Sequence, residues 1–373
     1  MFKEDQKNLA LSANKKLPQI RNFQLLKKIG EGSYGKIYLS EDLKTSSLVT
    51  LKIIDKTFLE LLGKTEEAFI EQFMLIHLKH KNIINLHSCF QTKQKLIFVI
   101  EYFKNGNFEN YLKQIQNKNG ILSYETSKFY SAEILNILLY FQKNKIAHLD
   151  LKPGNFLLDE RLHLKLIDFA TCKIIGKEYD LKTKKFIKQN NIIIDNYLGT
   201  AEYVSPEILN KNVINFKSCD IWSFGIIMYE LFHGYTPFKG KNEKETIQNI
   251  KNGNFKIDEK LPFEVKDLIN KLLNYNQEER LGVNDIKDIM KHKFFEGINF
   301  ENLFEEKVPE NLKKCSSDSL FVQKRKISFM EELYSTDESD FDNHSVNFSC
   351  GNDFCVVKYE DNNIEFYDNY FVL

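Results

Sequence analysis

Between two runs of strand-forming residues, FQLLKKI and KIYLS, the chain reads Gly30-x-Gly32-x-x-Gly35. Glycines at that spacing let the backbone turn sharply and bring its amides close to a phosphate, because no Cβ stands in the way. A dinucleotide-binding fold needs a helix directly after the third glycine; a strand follows here, which argues against that fold. What remains is a glycine turn in a β-rich unit, read either as a phosphate cover or as a plain tight turn. A third strand, LVTLKII at 48–54, the amphipathic stretch EEAFIEQFMLIHLKH, and a buried strand, KLIFVIEYF at 95–103, complete that unit.

After the turn signal KNGN at 104–107, helices dominate. SYETSKFYSAEILNILLYFQKN is amphipathic, with Ser123 as its N-cap. CDIWSFGIIMYELFHG is apolar almost all round, as a central buried helix should be. PFEVKDLINKLLNYN is a further amphipathic helix with Pro262 in its first turn. Past about residue 312 the composition shifts to Ser, Asp and Glu. The expected division is an N-terminal extension (1–22), a small lobe (23–103), a large lobe (104–300) and an acidic tail (301–373).

The 373 residues are 42% apolar and include 31 Phe, enough for a large core. Basic and acidic residues balance at 52 each, so nucleic acid is not an expected partner. The six cysteines contain no C-x-x-C pair, which argues against zinc and suits a reducing compartment. With no secretory signal and no apolar run long enough to span a bilayer, the expectation is a cytoplasmic monomer with no membrane insertion.

Lys52 ends the strand VTLK. A lysine there needs a reason, since an unpaired buried ammonium costs several kcal/mol. Phosphates above it and a helical carboxylate beside it would supply one; Glu71 is the first candidate, with Glu66 and Glu67 as alternatives. A surface lysine laying its stem along apolar neighbours is the other reading. HLDLKPGN, His148 to Asn155, places Asp150, Lys152 and Asn155 on a loop that Pro153 keeps non-helical. Asp168 follows thirteen residues after Asn155, at the end of a short apolar strand. Phosphoryl transfer from ATP needs a carboxylate near the attacking hydroxyl, a cation near the γ-phosphate, and oxygen ligands for Mg²⁺. Asp150, Lys152, and the pair Asn155 and Asp168 match those needs in order.

With these motifs in sequence, GEGSYGKI, VTLK, HLDLKPGN, DFA and SPE, residues 23–300 resemble a eukaryotic protein kinase. YFKNGN, GTAEYVSPEIL, YTPFKGKNE and ERLG resemble its AGC group, nearest to the phosphoinositide-dependent protein kinase family. The resemblance implies an α+β, bilobal kinase fold: a small antiparallel sheet with one main helix, above a larger helical lobe. It implies a Ser/Thr protein kinase that uses ATP and Mg²⁺. Ile29, Gly30, Gly32, Gly35, Ile37, Thr50, Lys52, Ile100 (as gatekeeper), Glu101 and Phe103 would hold the nucleotide. Asn155 and Asp168 would ligate the metal. Thr200 would hydrogen-bond Asp150 and Lys152, and Glu207 would pair with Arg280. The implied partners are other AGC kinases, docking a Phe-rich motif near Lys56, Leu59, Leu96 and Phe98.

Several positions depart from the family pattern. Leu149 replaces the Arg that answers a loop phosphate, and Asn196 stands where the family carries its phosphoserine. The two losses fit each other and predict activity without loop phosphorylation. Ala170 replaces the Gly of DFG, and Gly154 a Glu. The segment 168–207 is longer than the pattern requires, and its lysine-rich middle reads as a solvated loop or as a docking strip for an acidic substrate. The last residues are too few and too acidic for a lipid-binding pleckstrin-homology module; they form either a disordered tail or one that docks on the small lobe. A scaffold without turnover, and another AGC-type kinase with different substrates, remain the alternative functions.

Overall fold

The computed structural model describes residues 20–309 except 33, 93, 119, 181–184 and 189–199. The expectations for Asn196, for the first nineteen residues and for the tail beyond 309 lie outside the described residues.

Strands β1 (Phe23–Gly32), β2 (Gly35–Asp42) and β3 (Ser47–Asp55) lead into two helices, α1 (Lys56–Leu61) and α2 (Thr65–His77). Strands β4 (Leu86–Gln91) and β5 (Lys95–Glu101) close an antiparallel sheet of order β1-β2-β3-β5-β4. One face of it is sealed by Phe23, Leu25, Tyr38, Leu51, Phe90 and Val99. On the other face Ile54, Leu96 and Phe98 join Leu59 of α1 and Phe69 and Met74 of α2 in the main core. Helix α1 is absent from the sequence reading. It is six residues long, too short for a periodic signal, and is started by Asp55, whose carboxylate accepts the Phe58 N–H at 3.1 Å.

The larger lobe begins with α3 (Phe108–Gln116) and α4 (Tyr124–Asn144). Ser123 caps α4 as expected, its hydroxyl accepting the Thr126 N–H. Short antiparallel pairs follow: β6 (Ile146–Ala147) with β9 (Lys173–Ile174), and β7 (Phe156–Leu158) with β8 (Leu164–Leu166). They fix the two ends of the loops that carry the polar motifs. Strands β10 (Lys177–Asp180) and β11 (Lys185–Lys188) form a hairpin where a solvated loop or docking strip was expected. Then come α5 (Pro206–Leu209), α6 (Phe216–His233), α7 (Glu243–Asn252), α8 (Phe263–Leu272) and α9 (Lys287–Met290). Helix α6 is buried on nearly every side and ends at Gly234, whose φ of 80° suits a residue without a Cβ. Among the described residues no helix is long and apolar enough to cross a membrane. This is the two-lobed α+β architecture the motifs implied.

Candidate active site

The register of the sheet puts the expected nucleotide residues on one face. Ile37 lies opposite Lys52, Lys52 opposite Phe98, and Thr50 opposite Ile100, so Ile37, Thr50, Lys52 and Ile100 point the same way. Gly30, Gly32 and Gly35 bracket the turn between β1 and β2, where Gly32 pairs with Gly35. A Cβ on Gly35 would lie 2.5 Å from the Ile53 carbonyl oxygen, so only glycine fits. A Cβ on Gly30 or Gly32 would meet nothing closer than 3.7 Å; the nearby Lys52 Cε lies 3.9 Å from the Gly32 position. Room under a glycine turn with an ammonium beneath it fits a polyphosphate. Ile29, on β1, is 41% exposed. Glu101 at the end of β5 accepts the Asn85 N–H at 2.7 Å, which ties the interlobe strand to the loop before β4, and Phe103 lies just beyond it against the main core.

Lys52 donates to Glu71 in a buried ion pair. The other two candidate carboxylates face elsewhere: Glu67 pairs with Lys64 at 2.5 Å and Glu66 with Lys173 at 3.5 Å. Burial acts to lower the Lys52 pKa, but the charges of Glu71 and Asp168 outweigh it and hold the ammonium above its ordinary value. Burial, opposed by Lys52, leaves the Glu71 pKa raised. The Lys52 charge is thus held by the carboxylates around it, while Lys52 offsets only part of what burial costs Glu71.

The loop after β6 assembles the second half of the site. Asp150 Oδ2 accepts from Lys152 Nζ at 2.7 Å and from Asn155 Nδ2 at 3.0 Å, and the same amide also reaches the Asp150 carbonyl at 2.8 Å. With its amide nitrogen committed to Asp150, Asn155 leaves Oδ1 as the atom that could face a metal. Asp168 has φ of 65°. It is followed by Phe169, which is fully buried and packs edge-on to His148 with centroids 5.6 Å apart. Positive φ falls on Asp168 and not on Ala170, so the Ala in place of Gly carries no backbone strain in this arrangement. Among the described residues no group of three or more His, Cys, Asp and Glu could hold a metal alone. An amide oxygen and one carboxylate suit Mg²⁺ bound together with nucleotide phosphates.

Three further features stand around this centre. Leu149 adopts φ of 67°, rare for a branched side chain, and packs against Val204, Ile208 and Cys219. Its N–H and that of His148 both donate to the Asp220 carboxylate on α6. Gly154 sits beside α3: a Cβ there would come within 3.0 Å of Glu109 Oε2, so a carboxylate from another element stands where the family pattern has Glu. Glu207 and Arg280 form a bidentate pair at 2.6 and 3.1 Å. Thr200 heads the short turn Ala201–Tyr203, accepting the Tyr203 N–H on its carbonyl, and no hydrogen bond from its hydroxyl to Asp150 or Lys152 is present among the described residues.

The protein kinase domain model matches residues 23–295. This chain belongs to the protein kinase family. The kinase is 33% identical over 292 residues to "Serine/threonine-protein kinase PKH2" of Saccharomyces cerevisiae, covering 76% of this chain and 25% of that protein. It is 33% identical over 299 residues to human "3-phosphoinositide-dependent protein kinase 1", covering 79% of this chain and 51% of the relative. Human "Ribosomal protein S6 kinase alpha-6" is 32% identical over 298 residues, covering 79% and 37%. The kinase is thus similar to a relative named as a serine/threonine kinase and to one named as phosphoinositide-dependent. The chain spans a quarter to a half of the length of these relatives. Glu71 was the carboxylate preferred from sequence; the hairpin β10–β11 was missed because its charged strands show little apolar alternation, and the Gly154–Glu109 neighbourhood because it joins separate segments.

Proposed function

We propose that this kinase transfers the γ-phosphate of ATP to Ser or Thr hydroxyls of proteins, with activation loops of other AGC kinases as its substrate class. We propose further that it works without phosphate on its own loop. The observation that carries the reading is the simultaneous pairing of Lys52 with Glu71 and of Asp150 with Lys152 and Asn155. Leu149 supports the phosphate-free part: its side chain packs on an apolar cluster, so position 149 offers no cation to a loop phosphate.

In this mechanism Lys52, steadied by Glu71, and the amides of Gly30–Gly35 hold the phosphates. Thr50, Ile37, Ile29 and Ile100 line the base, with Glu101 and Phe103 at the hinge. Asn155 Oδ1 and Asp168 would hold Mg²⁺, which would supply charge neutralisation to the transferred group. Lys152 and Asn155 both donate to Asp150 Oδ2, which leaves Oδ1 to orient the substrate hydroxyl and take its proton. Lys152 then steadies the γ-phosphate. Positioning and charge stabilisation supply most of the rate in such reactions. Docking of a Phe-rich substrate segment belongs to the same proposal. Leu59, Leu96 and Phe98 are fully buried and the Lys56 ammonium is bonded to Gln91 and Thr92, so docking there begins with a shift of α1.

The test is transfer of radiolabelled phosphate from Mg-ATP to an AGC activation-loop peptide. The protein is expressed in bacteria and treated with phosphatase, and Asp150→Asn serves as control. Transfer that disappears in the control is expected. No transfer by a protein that still binds ATP would overturn the catalytic reading in favour of a scaffold. Transfer to basic peptides alone would replace the substrate class.

A further inference from the structure

The hairpin in the activation segment puts two rings against the helix that carries Glu71. Tyr179 and Phe186 face each other across β10 and β11, with centroids 5.2 Å apart. Tyr179 stacks on Phe69 at 5.4 Å, and Phe186 meets Phe73 edge-on at 4.7 Å. Phe73 in turn stacks on His77 at 4.0 Å. Phe69, Phe73 and His77 stand four residues apart, so they form one stripe along α2. At 3.6 residues per turn that stripe and Glu71 lie on nearly opposite sides of the helix. Tyr179 and Phe69 are each only 5% exposed, which makes this a packed interface and not a surface touch.

We propose that Tyr179 and Phe186 are positioning residues for Glu71. By packing on Phe69 and Phe73 they brace α2 from the side away from Lys52 and keep the Lys52–Glu71 pair closed. The inference rests on the reading that the kinase acts without loop phosphate, and it names what replaces that phosphate. A charged loop holds a helix through an ion pair that a phosphatase erases. Aromatic burial and edge-to-face geometry hold it permanently, with little dependence on salt. The insertion in the segment is then the part of the chain that makes the loss of a phosphate acceptor tolerable.

The test compares phosphatase-treated wild type with Phe186→Ala, Phe73→Ala, their double variant, Phe186→Tyr, and Ile187→Ala. Ile187 is 46% exposed on the same strand and serves as the control for hairpin damage. Two quantities are read: kcat and KM for ATP, and hydrogen exchange of the α2 amides, residues 65–77. Each alanine variant is expected to lower kcat/KM about tenfold, the scale of losing one aromatic contact. The double variant should be little worse than either single one, Phe186→Tyr should recover most of the loss, and Ile187→Ala should match wild type. The α2 amides should exchange faster in both alanine variants. Alanine variants within about twofold of wild type, an equal loss in Ile187→Ala, or unchanged α2 exchange would each overturn the proposal. If wild type itself transfers no phosphate, the proposed activity fails separately, and the exchange measurement alone decides the bracing role.

Discussion

The backbone N–H of Leu149 donates to Asp220 Oδ1 at 2.8 Å, and this bond holds a branched residue at φ of 67° immediately before the proposed catalytic carboxylate. Asp220 Oδ2 takes the His148 N–H at 2.7 Å, so one buried side chain on α6 sets the course of the whole loop. Asp220→Asn keeps the shape but turns one acceptor into a donor facing an amide. Stability should fall by about 1–3 kcal/mol, and transfer should fall with it because Asp150 follows directly in the chain. Burial pushes the Asp220 carboxyl up to about 7 against the pull of the two amides. An acid raised from its unfolded value near 4 binds more protons in the native state, so its contribution is present below about pH 4 and is lost as pH rises to about 7. The wild type's margin over Asp220→Asn should therefore narrow from about pH 5 to about pH 7 in urea titrations. A margin that stays flat with pH would show that Asp220 ionises with an ordinary carboxylate pKa, and one that widens would show a depressed one.

How much of this site could be read in the sequence depends on how far apart the cooperating residues are. Asp150, Lys152 and Asn155 lie within one loop, so their spacing announces their meeting. Lys52 and Glu71 are nineteen residues apart, on a strand and a helix whose patterns are legible, and only the choice among Glu66, Glu67 and Glu71 needed the structure. Tyr179 and Phe186 carried a weak signal, two aromatics in a lysine-rich run, and their targets Phe69 and Phe73 look from sequence like ordinary core positions. Helix α1 was invisible because six residues cannot display a period. The Gly154–Glu109 approach joins a loop and a helix of the same lobe, well separated along the chain, and leaves no local pattern at all. Local chemistry is legible in such a chain, whereas bracing between distant segments is not.

Gly35 should be the least tolerant of the three loop glycines. Its Cβ would stand 2.5 Å from the Ile53 oxygen and 3.0 Å from Ile54 Cγ1, both part of the β2–β3 pairing and unable to step aside. Gly35→Ala should splay that pairing, cost about 1–3 kcal/mol and raise the KM for ATP. Gly30→Ala meets only the Ile37 side chain at 3.7 Å, an ordinary contact, and should leave the unfolding midpoint nearly unchanged. Thermal unfolding of the two variants side by side checks the difference; equal midpoints would mean the sheet relaxes more than its register suggests.

Glu207 and Arg280 should behave as one unit. Both are almost fully buried; Arg280 also donates to the Ser218 and Asn274 carbonyls and lies over the Trp222 ring at 5.0 Å. Removing either partner strands the other in a dry interior, a loss of about 3–5 kcal/mol, whereas removing both strands neither. Arg280→Lys should also fail, because an ammonium cannot fork to two carboxylate oxygens and two carbonyls together. In urea unfolding, Glu207→Gln and Arg280→Met should each be costly, and the double variant should cost clearly less than their sum. Strict additivity would show that the pair contributes separately to the two segments it touches. The shortfall from additivity measures how firmly the end of the activation segment is pinned to the loop after α8, and with it the platform on which a substrate would lie beside Asp150.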